Sequence, residues 1–266
     1  MEAGPRLIVF TDLDGTLLDH HTYCWDAAQC ALDGLAAAGC GLVLASSKTA
    51  AEIAPLRRAL GFDGWPAIVE NGAGLLPEGS AALPDAAPYG QLRAALDALP
   101  TELRASFRGF GDVTAEEVAR WTGLPLPDAK LAQTRAFSEP GQWSGSDPAR
   151  EAFVRALADQ GIIAQHGGRF LTLSFGGNKA DQVRALVARY RPRHTLALGD
   201  APNDIEMLSV TDRGVIIPNP EGRPIPPLRG ERLGRITRGQ HPGPTGWNSA
   251  VLALIDTLDL HRTPAQ

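Results

Sequence analysis

The run Leu7-Ile-Val-Phe-Thr11, closed at once by Asp12-Leu-Asp14-Gly15-Thr16, constrains the fold more than any other segment of this chain. An apolar stretch of this length, rich in β-branched and aromatic residues and stopped by a turn, reads as a strand buried on both faces. Strands of that kind belong to open parallel sheets, which carry their chemistry at the carboxyl ends of the strands. Asp12 then stands at the end of the first strand and Asp14 just beyond it. Gly15 permits a sharp bend, after which backbone amides are free to point at an anion. Carboxylates placed at the end of a buried strand call for a cation or a proton. The competing reading is a loop whose acids cap a following helix.

The downstream pattern decides between them. Asp26 to Ala38 is rich in alanine and leucine and ends at Gly39, which predicts a helix with a glycine stop. Gly41 to Ala45 is a second apolar strand, Thr49 to Leu60 a helix with Ile53, Leu56 and Leu60 on one face, and Pro66 to Glu70 a third strand before the turn Asn71-Gly72. Strand, helix, strand, helix, strand predicts a parallel sheet with right-handed crossovers. From about Leu83 the pattern changes. A helix is expected near Gln91 to Leu99, and Thr114-Ala-Glu-Glu117 forms a capping-box sequence opening a helix through Trp121. Arg135 to Pro140 reads as extended, Asp147 to Gln160 as a helix with Pro148 at its first position, and Ile162 to Ser174 as paired strands around Gly167-Gly168. The open-sheet pattern resumes with a helix from Ala180 to Tyr190, strands at Thr195 to Gly199, Val215 to Ile217 and Arg235 to Thr237, and a closing helix from Trp247 to Leu258. Pro218 to Pro227 reads as a scaffold loop.

Composition removes several classes of function. With 266 residues and 44% hydrophobic content the chain can bury a substantial core. The net charge of −5 and the absence of lysine or arginine clusters exclude a broad nucleic-acid footprint, though not a small phosphorylated ligand, which needs only a few local donors. Cys24, Cys30 and Cys40 are odd in number and lack metal-ligand spacing, so they read as reduced thiols. Neither a signal peptide nor a membrane-spanning run is evident, and a cytoplasmic protein with no membrane partner is expected. His20 and His21 read as a solvated loop, and Trp121, Trp143 and Trp247 as packing residues.

Four pieces fall at strand ends or helix starts on one edge: Asp12-Leu-Asp14-Gly15-Thr16, Ser46-Ser47-Lys48-Thr49, Asn178-Lys179, and Gly199-Asp200-Ala-Pro-Asn203-Asp204. Taken singly, Ser46 is as readily a helix cap and Lys179 a solvated residue at a helix start. Together and in this order they resemble the four motifs of the haloacid dehalogenase superfamily. A carboxylate can accept a phosphoryl group as an acyl phosphate, splitting one hydrolysis into two steps. Asp12 is the expected nucleophile. Asp14 is the expected acid and base, with its proton affinity raised by neighbouring carboxylates. Ser46 and Lys179 are expected to hold the phosphoryl oxygens, with Thr16 and the amides after Asp12 completing the cradle and Asn203 orienting ligands or phosphate. Carboxylates and a phosphoester repel unless a hard cation lies between them, which points to Mg²⁺. The resemblance implies its ligands: the Asp12 carboxylate, the Asp14 carbonyl, the Asp200 carboxylate, and Asp204 directly or through water.

The similarity extends further along the chain. Glu70-Asn71-Gly72, Thr114 to Gly123, Arg135 to Pro140, Gly168-Arg169-Phe170 and Gly243-Pro-Thr-Gly-Trp247-Asn248 resemble the mannosyl-3-phosphoglycerate phosphatase family of the Cof-like branch. Asn178 and Ala180 stand where that family usually shows aspartate and glycine. The resemblance implies an α/β Rossmann-like core, residues 1–82 and 176–266, with an inserted α+β cap of the C2 type, residues 83–175. It implies a phosphatase that converts mannosyl-3-phosphoglycerate to mannosylglycerate. Another sugar phosphatase, acting on glucosyl-3-phosphoglycerate or a hexose phosphate, is the alternative; a phosphosugar mutase and a non-catalytic binding protein are lesser ones. In the cap, Arg135, Glu139 and Arg169 are the candidates for gripping a glycerate carboxylate or sugar hydroxyls, against a reading as ordinary ion pairs. The sequence leaves the oligomeric state open.

Overall fold

Both faces of the first strand are sealed, which is why its apolar run is continuous. The computed structural model describes residues 4–80, 83–167 and 169–261. β1 (Leu7–Thr11) sends Leu7 and Val9 into one apolar layer and Ile8 and Phe10 into the other. The chain then forms α1 (Gln29–Ala37), preceded by a 3₁₀ turn from Asp26 to Ala28, then β2 (Gly41–Leu44) and α2 (Ala50–Ala59). Thr49 caps α2 in a capping box with Glu52, so the cap is Thr49 and not Ser46.

β3 (Ala67–Val69) departs from the expected third parallel strand. It touches the main sheet through one bridge, Ala45 to Ile68, and pairs antiparallel with β4 (Gly74–Leu76). The reason is local: Glu70, Asn71 and Gly72 all adopt positive φ, at 52°, 59° and 94°, and turn the chain back on itself.

A separate unit follows. It comprises α3 (Ala87–Asp97), α4 (Thr101–Arg104), β5 (Phe107–Gly109), α5 (Ala115–Thr122), α6 (Leu126–Gln133), β6 (Ser138–Trp143), α7 (Asp147–Ala158), β7 (Ile163–Gly167) and β8 (Phe170–Ser174). The strands form an antiparallel sheet in the order β5-β6-β8-β7 over a core of Leu92, Leu96, Phe107, Phe153, Leu157 and Leu173. Of the expected hairpin tip, Gly168 lies outside the described residues. Neither α6 nor β5 was expected; Pro125 and Pro127 sit at the cap and in the first turn of α6, where no intrahelical amide is needed.

The chain returns to the main sheet through α8 (Lys179–Tyr190), β9 (His194–Gly199), α9 (Ile205–Val210), β10 (Arg213–Ile216), α10 (Arg229–Arg232), β11 (Ile236–Arg238) and α11 (Gly243–Thr257). The order β11-β10-β9-β1-β2 is parallel throughout. α1 and α11 cover one face, α8 and α9 the other. The fold is therefore α/β with an inserted antiparallel unit. Among the described residues no helix is long and apolar enough to cross a membrane.

Candidate active site

Register brings the motifs together. Thr11 pairs with Leu44 on one side and Leu198 on the other, so the carboxyl ends of β2, β1 and β9 are level. The Asp12 amide donates to Leu198 O at 2.9 Å and Ala45 N to Thr11 O at 2.8 Å. The main chain at Asp12 is held from behind: Trp247, fully buried, donates Nε1 to Thr11 Oγ1 at 2.9 Å, and that hydroxyl donates to Asp12 O at 2.7 Å.

Asp12, Asp200 and Asp204 are buried, and one oxygen of each lies within 4.8 Å of the others. Lys179, 2% exposed, is not a solvated residue. Its Nζ donates to Asp12 Oδ1 at 2.6 Å and to Asp204 Oδ1 at 2.7 Å. Burial opposes the charge on Lys179, but the two carboxylates outweigh it and raise its proton affinity, so the ammonium persists. Asp12 is pushed well above the ordinary carboxylate range by burial, then by Asp204 and Asp200, against the pull of Lys179. Burial likewise raises Asp200, against hydrogen bonds from Thr16 and Asn219. Three carboxylates beside one ammonium, which two of them share, leave an excess of negative charge in a dry place. An all-oxygen donor set of this kind fits a hard divalent cation such as Mg²⁺.

The remaining expected residues divide. The Thr16 hydroxyl donates to Asp200 Oδ1 at 2.7 Å and its amide to Leu13 O at 3.1 Å, while Gly15 N donates to Leu18 O. Thr16 thus orients a carboxylate, and the amides of Gly15 and Thr16 close a turn. Asp204 Oδ2 accepts from the amides of Asp200 and Ala201 at 3.2 and 3.1 Å, which locks the turn. Ser46 is 1% exposed, and its Oγ accepts from Lys48 N at 3.2 Å, leaving the hydroxyl proton to donate. The Asp14 side chain stands apart from the three-carboxylate cluster. Its Oδ2 pairs with Lys48 Nζ at 3.1 Å while its Oδ1 is buried with no partner. That unsatisfied oxygen is a costly feature in a buried site and marks a place where a polar group belongs.

Two lobes open beside these groups and share Asn71, Thr172 and Asn203. The lobe of about 390 Å³ is lined by Asp14, Lys48, Arg135 and Arg169. The lobe of about 700 Å³ is lined by Lys179 with Gln165, His166, Asn178, Glu206 and Arg223. Asn203 is exposed between them, donating to Asn71 Oδ1 at 3.4 Å. Arg169 is exposed and anchored by one bond to Thr122 O at 3.1 Å. Glu139 does not reach either lobe. It is fully buried inside the inserted unit, where Arg93 (2.7 Å), Tyr89 (2.8 Å) and Gly111 N (2.8 Å) already donate to it. The expectation that it accepts sugar hydroxyls is therefore withdrawn: its lone pairs hold the unit's interior together.

Sequence reasoning missed Asn219 and Lys48 as individual parts of the site. Asn219 Nδ2 donates to Asp200 Oδ2 at 2.6 Å. Its signal was its position just beyond β10, at the same sheet edge as Asp12 and Asp200, hidden by the prolines around it. Lys48 lies 5.1 Å over the Tyr23 ring as well as against Asp14.

A family model for haloacid dehalogenase-like hydrolases matches residues 9–97 and 145–222. Among solved structures, a phosphatase of the haloalkanoate enzyme superfamily from Bacteroides thetaiotaomicron is 19% identical, with a TM-score of 0.64 over 95% of each chain. A haloacid dehalogenase-like hydrolase from the same organism is 18% identical, with a TM-score of 0.68 over 93% of this chain and 98% of that one. The sucrose-phosphatase of Synechocystis, solved with sucrose and phosphate, is 16% identical, with a TM-score of 0.56 over 96% and 98%. At these identities the structural likeness speaks for the fold alone.

Proposed function

Because the chain belongs to the haloacid dehalogenase-like hydrolases, we propose that it is a Mg²⁺-dependent phosphomonoesterase with Asp12 as nucleophile. The observation that carries this reading is the pairing of a buried, Lys179-held Asp12 with a second acid, Asp14, facing the adjoining lobe. A carboxylate oxygen of Asp12 attacks phosphorus, the bond to the leaving oxygen breaks, and Asp14 delivers a proton to that oxygen. Asp14 then takes a proton from water as the water oxygen attacks the acyl phosphate, freeing phosphate and restoring Asp12. Lys179 and Ser46 supply positive charge and a donor to the phosphoryl oxygens, arranged before the reaction begins. When bound by Asp12, Asp200, the Asp14 carbonyl and Asp204, Mg²⁺ neutralises charge on the attacking and transferred groups. Thr16 and Asn219 keep Asp200 pointed at that position.

The inserted unit, taken as residues 83–175 against core segments 1–82 and 176–266, supplies the leaving-group side. Lys48, Arg135 and Arg169 favour an anionic group near Asp14, and the amides and His166 of the other lobe favour hydroxyls. A phosphorylated glycoside of a hydroxy acid has both, which supports mannosyl-3-phosphoglycerate as substrate and mannosylglycerate as product. A phosphate-release screen across glycosyl-3-phosphoglycerates and hexose phosphates tests this. A preference for hexose phosphates over every carboxylate-bearing ester would overturn the substrate assignment while leaving the phosphatase chemistry.

A further inference from the structure

Glu70 takes no part in the steps above, yet its side chain is fully buried and its main chain and carboxylate hold two different parts of the site. Glu70 N donates to Lys48 O at 3.0 Å and Asn71 N to Ser46 O at 2.9 Å, stitching this turn to the loop that carries Ser46 and Lys48. The carboxylate reaches the other way, into the start of β6. Oε1 accepts from Ala136 N at 2.9 Å. Oε2 accepts from Ser138 N at 2.7 Å, Ser138 Oγ at 2.8 Å and Phe137 N at 3.2 Å. Three successive amides converging on one carboxylate form an anion-binding nest filled from the core. Positive φ at Glu70 and Asn71 is backbone strain of the kind surroundings must impose, and it aims the carboxylate across the junction.

Arg135 lies in the same knot. Its Nε is 3.3 Å from Glu70 Oε2 and donates to Ser138 O at 3.2 Å, and its Nη2 donates to Ser138 Oγ at 2.7 Å. Its Nη1 bonds to no protein group among the described residues, and Arg135 lines the lobe beside Asp14. We propose that Glu70 is a positioning residue that aims Arg135 at the leaving group and registers that aim to the loop bearing Ser46 and Lys48. Discrimination between anionic and neutral leaving groups then depends on Glu70 as well as on Arg135. A guanidinium already fixed along one edge loses little freedom when its other edge binds, which concentrates its effect in substrate affinity. The inference rests on the phosphatase reading and deepens it.

The test compares 3-phosphoglycerate with glycerol 3-phosphate, which differ at the carboxylate. KM and kcat, with dissociation constants from calorimetry, are measured for wild type, Glu70→Gln, Ser138→Ala, Arg135→Gln and the Glu70→Gln/Arg135→Gln pair. The expected result is a rise in KM for 3-phosphoglycerate about tenfold greater than for glycerol 3-phosphate in Glu70→Gln, the scale of one charge-assisted contact. A smaller shift of the same sign is expected in Ser138→Ala, and the double variant should be no worse than Arg135→Gln. Equal losses on both esters, or losses that add to those of Arg135→Gln, would mean a merely structural role and overturn the proposal. If Glu70→Gln does not fold, Ser138→Ala decides, an unchanged preference being the refuting result. If wild type hydrolyses neither ester, the ratio of the two dissociation constants alone judges Glu70, while the phosphatase reading answers to the screen across glycosyl-3-phosphoglycerates and hexose phosphates.

Discussion

Replacing Lys179 by methionine keeps most of the stem's volume and removes the positive charge that two buried carboxylates share. In the native protein Lys179 Nζ lies 2.6 Å from Asp12 and 2.7 Å from Asp204, with 2% of the lysine side chain exposed. Breaking one buried ion pair costs about 3–5 kcal/mol, mostly the penalty of the charge left behind. Here a single ammonium serves two acids, so about 5 kcal/mol is expected. For a chain of this size that corresponds to a fall in Tm of roughly 10–20 °C in metal-free buffer at pH 8. The sign with pH follows from the carboxylates. Without Lys179, Asp12 holds its proton more tightly still when folded than when unfolded, so acidification favours the native state and the gap should narrow toward pH 5. Saturating Mg²⁺ should narrow it too, by mass action on the same cluster. Melting curves by circular dichroism at both pH values, with EDTA and with Mg²⁺, measure all three effects. A variant melting within about 3 °C of wild type in EDTA at pH 8, or a gap that widens with acid, would refute the buried-charge account. Phosphate release by the variant should fall by a factor on the order of 10²–10³.

Asp12→Asn should abolish phosphate release while its circular dichroism matches wild type, and a variant with normal turnover would remove Asp12 as nucleophile. In wild type, burial raises Asp12 and Asp200 above their unfolded values, so the metal-free fold is favoured by acid and loses stability as pH climbs through the folded values. A bound cation displaces those protons, and the increase in Tm on adding Mg²⁺ should therefore grow from pH 5 to pH 8; an increase independent of pH contradicts this. Asn219→Ala frees Asp200 Oδ2 and should weaken Mg²⁺ binding by about 10–100-fold in calorimetry. Glu139→Gln strips the charge that Arg93 pairs with and should cost about 2–4 kcal/mol in urea unfolding, with KM changing less than the variants at Arg135; a large KM effect would return Glu139 to the substrate.

The edge at which chemistry gathers was legible because strand, turn and acid are local properties. Residues 7–10, 41–44 and 196–199 are apolar on successive positions, and Asp12, Ser46 and Asp200 follow where each apolar run ends. Burial on both faces dictates that pattern wherever it occurs in a parallel sheet. The third strand shows where local reading failed. Ala67–Val69 has strand character, but the left-handed turn at Glu70 and Asn71 that diverts it into a hairpin is stabilised by partners at Ser46, Lys48 and Ser138, far off in sequence. α6 was not foreseen: Pro125 and Pro127 lie at its cap and in its first turn, positions that only the folded helix defines.

What the chain's order of residues determined by itself is the α/β layering, the inserted second unit and the set of strand-end groups available for chemistry, since apolar period and turn residues act within a few positions. Which of those groups touch was decided only in three dimensions. Thr16 and Asp200 are 184 residues apart and share a hydrogen bond, and Glu139, on a segment that reads as extended, is sealed behind Arg93 and Tyr89. The physical reason is that a polar side chain takes the partner that compensates its lost hydration, and that partner is supplied by packing, not by sequence neighbours.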